Sequence, residues 1–211
     1  MTGKEEDMRK GLVGYFGYGS LVNRRTLTTD YVACMPAKLK GWRRHWQARE
    51  HGAEPADIAL LTVHEHAEST IMGMLVIDRL ENLASVDERE ARYDRVAIAR
   101  ESLEFVVEAG REEAHASLPE ALYVYVGRRR PGEERPPMLL QSYLDAVMAG
   151  FHAEFGDDGL AHFLETTIGF DREIVTDRHA PVYKRSIALD PDLASRFDTL
   201  LKRAGVRFAA P

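Results

Sequence analysis

The chain has 211 residues, enough for one well-packed core. Hydrophobic residues make up 45% and charged residues 29%, an ordinary globular balance that excludes an intrinsically disordered chain. A formal charge of −6 argues against a nucleic-acid scaffold, which carries a clustered basic excess, and against a polybasic membrane anchor. The single cysteine, Cys34, forms no internal disulfide and builds no zinc site by itself. The longest apolar run, residues 71–77, falls far short of the ~20 residues a spanning helix requires. Residues 1–11 lack the apolar core of a signal peptide. These features predict a soluble, cytoplasmic protein of one domain over residues 1–211, with neither nucleic acid nor membrane as partner.

In chain order, the first part is rich in β-branched and aromatic residues. It predicts short strands at 12–18, 38–49, 57–64, 70–77, 96–99, 103–107 and 121–126, with one embedded helix. So many short strands fit a curled sheet or small barrel better than a βαβ array. A charged, proline-rich loop at 127–137 separates this part from a helical one. There, Leu140, Tyr143, Leu144, Val147, Met148, Phe151 and Phe155 line one face of a helix predicted over 138–155. A shorter helix is expected at 159–167. Asp190 then caps a third helix with Pro191 in its first turn, and Gly205 ends it. The fold class is therefore α+β: a small mixed β-barrel at 12–130 with flanking helices, and extra helices in a C-terminal extension at 137–211.

Two stretches carry chemistry. Gly14, Gly17 and Gly19 end the first strand in a G-x-x-G-x-G spacing, and 23–27 looks like a helix start. Glycines at such a junction let backbone N–H groups converge on an anion. The spacing matches neither the dinucleotide fingerprint nor a P-loop. A carboxylate-sized anion site and a plain glycine-rich turn both remain open. Ser20 is not a nucleophile elbow, since no glycine stands two residues after it.

The second stretch begins at Asp78, which with Glu81 forms a capping-box pattern. At about 100° per residue, Glu90 falls about 20° from Leu83, inside the apolar arc that also holds Leu80 and Val86. Glu88 and Arg89 fall on the outer face, and Asp87 points inward. A carboxylate aimed at the core is either paired, with Arg92 and Arg95 as the candidates here, or retained for chemistry with a raised pKa.

Together these stretches resemble the γ-glutamylcyclotransferase superfamily, which includes the ChaC proteins and the plant-type γ-glutamylamine enzymes. Tyr15, Phe16, Gly17, Tyr18, Gly19, Ser20 and Leu21 are similar to the anion-binding loop of that family. Residues 83–91 resemble its second motif, whose last glutamate, here Glu90, is the catalytic base. Gly41, Trp42 and Arg43 stand where the family has a glycine–aromatic–arginine strand. The resemblance implies a β-barrel with flanking helices and a cofactor-free reaction without metal. In that reaction the α-amine of a γ-glutamyl substrate closes 5-oxoproline and expels an amine. The loop would bind substrate, and a strand tyrosine, Tyr125 rather than Tyr123, would help orient it. At 51–54, His-Gly-Ala-Glu replaces the histidine–arginine–glycine–threonine stretch of ChaC proteins, a departure that bears on glutathione specificity. Arg178 would either close over the site and bind a substrate carboxylate or serve as a structural arginine.

Two other signals point to no chemistry. His64 and His66 alternate on one face, but HEHAE is not the HExxH metal motif. Cys34 reads as a buried hydrophobe.

Overall fold

The computed structural model describes residues 11–48, 58–106, 118–128 and 137–208. The 51–54 stretch, the charged loop at 129–136 and the expected end of a strand at 107 lie outside these residues. The centre of the fold is a seven-stranded mixed sheet. Strands β1 (Leu12–Gly17), β2 (Ala33–Ala48), β3 (Ala59–Arg79), β4 (Tyr93–Ala97), β5 (Leu103–Phe105) and β6 (Leu122–Gly127) lie in the order β4-β6-β1-β3-β2-β5. A second sheet of three short strands joins β7 (Leu139–Leu140), β9 (Glu173–Val175) and β10 (Arg207–Phe208), while β8 (Thr167–Ile168) pairs with β2.

The predicted strands at 57–64 and 70–77 are one strand. β3 runs antiparallel to β2 from Ala59 opposite Ala48 to Ile77 opposite Ala33. The polar stretch between them is no turn. It is an irregularity in which residues 66–69 of β3 face Gly41 alone on β2, and Gly41 takes a φ of +80° to allow it. The expected barrel is not seen as a closed ladder among the described residues. β5 covers only residues 37–39 of β2, β8 takes the edge of β2 at Arg44 and His45, and nothing continues from there to β4.

β1 is the middle of the sheet, antiparallel to β3 and parallel to β6. Val13, Tyr15 and Phe16 are fully or almost fully buried, so the chain leaves β1 at Gly17 from deep inside the core. Two 3₁₀ turns follow, Ser20–Val22 and Arg24–Thr26, instead of the expected α-helix; the Asn23 side chain accepts from Arg25 N–H at 3.0 Å and restarts the turn. Nor does a helix begin at Asp78. That carboxylate is fully buried and accepts from Tyr15 Oη at 3.1 Å, Thr29 Oγ1 at 2.6 Å and Asn82 Nδ2 at 2.7 Å. With Asp78 so engaged, a 3₁₀ turn at Leu80–Asn82 precedes helix α1 (Leu83–Arg89), and Glu81 makes no capping bond.

Helix α2 (Gln141–Glu165) joins the two predicted helices through a break at Gly156, where φ is 64° and ψ −152°. Its buried face presents Leu144, Val147, Met148, Phe151, Leu160 and Phe163. It lies close against the first 3₁₀ turns: a Cβ on Gly150 would stand 2.6 Å from Asn23 N, and Asn23 Nδ2 donates to Ala146 O at 2.8 Å. Helix α3 (Pro191–Arg203) starts as expected, with Asp190 accepting from Leu193 N–H at 2.9 Å, and Gly205 follows it at φ 101°. Phe197 and Leu201 bury its apolar stripe.

Arg44 is fully buried, and among the described residues no carboxylate pairs with it. Its guanidinium donates to Met72 O, Thr166 Oγ1 and Thr167 Oγ1 and lies on the rings of Phe151 and Phe163 at 5.1 and 5.3 Å. Burial pushes its pKa down to about 9. It thereby ties β2 to the end of α2.

A Cβ on Gly41 meets nothing within 4 Å, so Gly41→Ala tests backbone conformation alone. Urea unfolding should show a loss of about 1–2 kcal/mol, the cost of holding an L-residue at positive φ.

Candidate active site

A cavity of about 590 Å³ opens where β1 ends. Phe16, Tyr18, Gly19, Ser20 and Leu21 form one wall, and Ser85, Glu88, Arg89 and Glu90 at the end of α1 form another. Leu60 and Leu61 of β3 lie beneath, with Tyr93, Tyr125 and Tyr143 around the sides. Most of the sequence-predicted site residues therefore meet in one place. Tyr15 and Gly17 do not line it. Tyr15 is buried behind the wall on Asp78, and Gly17 is paired with Met74 while a Cβ there would stand 2.5 Å from Leu21 Cβ. Their part is to shape the turn.

The loop places its backbone at the cavity. Val22 N–H donates to Gly19 O at 3.0 Å as the first bond of the 3₁₀ turn, leaving the N–H groups of Gly19, Ser20 and Leu21 without a bond inside it. Gly19 is required by a close approach: a Cβ would stand 2.7 Å from Tyr143 Oη. Such N–H groups at the start of a turn favour an anion.

Glu90 is the C-cap of α1, at φ −97° and ψ 29°. Its side chain retains 13% exposure, and Arg89 Nε donates to its Oε1 at 3.0 Å. The expected partners, Arg92 and Arg95, are not its partners. Arg95 instead pairs with Asp87 at 2.6 Å. Arg89 is also not on the outer face, since its side chain is only 6% exposed. The apolar arc of α1 rests on two buried residues, Leu83 and Val86, and the side on which the wheel puts Arg89 faces the glycine loop rather than water. There Arg89 donates to Thr26 O at 2.6 Å and approaches Ser20 Oγ at 3.4 Å. Burial pushes the Glu90 carboxyl above its usual pKa, against the opposing charges of Arg89 and Arg185.

The aromatic wall is built of neutral phenols. Burial raises the pKa values of Tyr18, Tyr93 and Tyr143. Tyr18 Oη donates to Tyr125 O at 2.5 Å and Tyr93 Oη to Leu61 O at 3.0 Å. Tyr125 Oη donates to Asp87 at 2.7 Å, which fixes the ring at the cavity; Tyr123 instead lies under Arg95 at 4.8 Å. Tyr93, Tyr143 and residues 182–185 are lining residues that sequence patterns do not reveal. They come from segments distant in the chain and have no motif of their own.

Arg178 takes the structural role. It donates twice to Asp145 of α2 at 2.7 and 2.9 Å and twice to Asp198 of α3 at 2.7 and 3.1 Å. Beside it Asp177 accepts from Ser142 N, Ser142 Oγ and Val182 N. These two residues strap the segment between β9 and α3 across the cavity. Tyr183 then packs edge-on against Tyr143 at 5.0 Å, and its hydroxyl is buried with no hydrogen-bond partner among the described residues.

Elsewhere, His64 Nδ1 lies 2.9 Å from His45 Nδ1, and His66 Nδ1 lies 2.9 Å from Ser69 Oγ. Among the described residues no three His, Cys, Asp or Glu side chains group to hold a metal ion. Cys34 is buried, and desolvation pushes its thiol up to about 11. No described helix is long and apolar enough to cross a membrane.

No model of a known protein family matches the chain, and no curated protein matches it by sequence. Solved structures do match. A γ-glutamyl cyclotransferase superposes with a TM-score of 0.53 at 12% identity, over 91% of this chain and 99% of that one. An uncharacterized protein from Homo sapiens gives 0.53 at 13% identity over the same shares. YkqA from Bacillus subtilis gives 0.51 at 18% identity, over 79% of this chain and 59% of its own. The chain therefore shares the fold of these solved structures, a γ-glutamyl cyclotransferase among them.

Two outcomes follow from the electrostatics. A carboxyl whose folded pKa lies above its unfolded one destabilises the fold once ionised, and this penalty is absent below the unfolded pKa. The stability of Glu90→Gln relative to the parent should therefore grow in the variant's favour as pH rises above the ordinary glutamate pKa of about 4.3 and level off once the folded carboxyl is ionised, read from thermal unfolding midpoints. Arg178→Ala leaves Asp145, with a side chain 1% exposed, without its ion pair. Chemical denaturation should show a loss of about 3 kcal/mol.

Proposed function

We propose that the protein is a γ-glutamylcyclotransferase, converting a γ-glutamyl compound to 5-oxoproline and a free amine. The observation that carries this reading is the position of Glu90: a desolvated carboxylate on the cavity wall across from the N–H groups of a glycine turn. The shared fold supports it.

The chemistry suits these groups. The substrate's α-ammonium is mostly protonated near neutral pH and must lose a proton before its nitrogen attacks the γ-carbonyl carbon. Glu90, with its raised pKa, accepts that proton. Attack forms the ring C–N bond and an oxyanion. Collapse of this intermediate breaks the original amide bond, and the departing amine leaves protonated as the ring nitrogen gives up its second proton. The N–H groups of Gly19, Ser20 and Leu21 hold the α-carboxylate, and Tyr125 orients the glutamyl chain. Ring closure is intramolecular, so much of the rate comes from this orientation; effective molarities reach ~10⁵–10⁸ M in well-aligned cases. Arg89 keeps part of the base ionised while holding the turn in place.

The Arg89–Glu90 contact also favours a second reading, a ligand-binding module in which the pair is a fixed structural bridge. Turnover separates the two. Purified protein should release 5-oxoproline from a panel of γ-glutamyl compounds, and Glu90→Gln should lower kcat/KM by at least about 10²-fold while the fold remains intact. The acid limb of kcat/KM should lie above the ordinary glutamate pKa, and Arg89→Gln should move it higher because it removes a stabilising positive charge. Release of 5-oxoproline from none of the panel would leave the binding module.

A further inference from the structure

The charges around the cavity exceed what a γ-glutamyl group uses. Its described lining holds four cations, Arg89, Arg92, Lys184 and Arg185, against two carboxylates, Glu88 and Glu90, in a chain whose net charge is −6. Arg89 is matched by Glu90. A γ-glutamyl group brings one carboxylate and one ammonium, and the turn N–H groups provide for the carboxylate. Three cations remain: Arg92 just after α1, and the adjacent pair Lys184 and Arg185 on the segment after β9. Neither side chain of that pair makes a hydrogen bond or ion pair with another described residue. Lys184 is exposed and Arg185 half-buried, and both line the cavity that holds Glu90.

These two cations are held in place. They follow Tyr183, whose ring rests on Tyr143 and whose N–H donates to Ser142 Oγ at 3.3 Å. The strap behind them is pinned by Asp177 to the start of α2 and by Arg178 to both helices. Long basic side chains on a fixed backbone at a cavity wall are suited to a carboxylate.

Building on the cyclotransferase reading, we propose that Lys184 and Arg185 form a cationic subsite for a carboxylate carried by the leaving amine. The site then selects γ-glutamyl amino acids and peptides over γ-glutamyl derivatives of uncharged or cationic amines. A leaving group without a carboxylate leaves two positive charges unmatched at the wall, and one with an ammonium is repelled.

The test is the ratio of kcat/KM for 5-oxoproline release from γ-glutamylalanine to that from γ-glutamylethylamide. It is measured in the parent, in the double variant Lys184→Ala with Arg185→Ala, and in Arg185→Lys. The parent should favour γ-glutamylalanine, chiefly through KM. The double variant should lower the ratio by at least about tenfold, and Arg185→Lys should retain most of it. An unchanged ratio overturns the proposal. If both compounds weaken together, the two cations serve the γ-glutamyl carboxylate that both carry; if neither weakens, they serve no carboxylate. A parent that prefers the ethylamide overturns it as well. Release from neither compound by a folded parent refutes the cyclotransferase reading and this inference with it, whereas turnover at an unchanged ratio refutes this inference alone.

Discussion

Everything at the cavity depends on the burial of two adjacent, oppositely charged residues. Arg89 and Glu90 are consecutive at the end of a short helix, and both side chains are largely removed from water. Burying a charge is costly unless it is paired and hydrogen-bonded. Arg89 meets that condition by donating to Glu90, to Thr26 O and, more weakly, toward Ser20. It thereby joins the helix that carries the carboxylate to the turn that carries the N–H groups. The pair is compromised as a stabilising element, because Glu90 remains harder to ionise than an exposed glutamate.

The sheet explains why the two walls meet. β1 lies in the middle, between β3 and β6, so its end is enclosed and the glycine turn begins at the floor of a cleft. Asp78, on β3 opposite Val13, prevents an early helix start by binding Tyr15, Thr29 and Asn82. The late start leaves Glu90 at the C-cap, facing the turn. From the other side, α2 comes close enough that Gly150 and Gly19 cannot carry a Cβ without a shift of their neighbours. The glycine turn is thus set between α1 and α2.

The segment between β9 and α3 completes the enclosure without regular structure of its own. Its position comes from polar anchors: Asp177 on Ser142, and Arg178 shared between Asp145 and Asp198. Polar anchoring of this kind sets a loop's location more narrowly than apolar packing does, because bidentate arginine pairs are directional. The loop therefore gives the cavity a defined basic border.

Local patterns in the sequence were sufficient for much of this. The apolar stripes of α2 and α3, the Asp190 cap with Pro191, the glycine turn and the inward-facing Glu90 all follow from spacing of 2 or 3.6 residues and from capping chemistry, which act within a few residues. So do most of the strands. The failures share one cause. Arg89 was assigned to water because a helical wheel cannot know that a glycine turn covers its outer face. The stretch 65–69 falls between two predicted strands because its polarity hides its pairing around Gly41. Asp78 seemed a helix cap because two of its side-chain partners, Tyr15 and Thr29, lie 63 and 49 residues away. Tyr93, Tyr143, Lys184 and Arg185 carry no local signature at all. The sequence alone determined most of the strands and helices and drew attention to the glycine turn and Glu90. Only the tertiary structure decided which charges are paired, which remain at the cavity, and where the sheet stops, because those depend on contacts between segments that chain spacing does not encode.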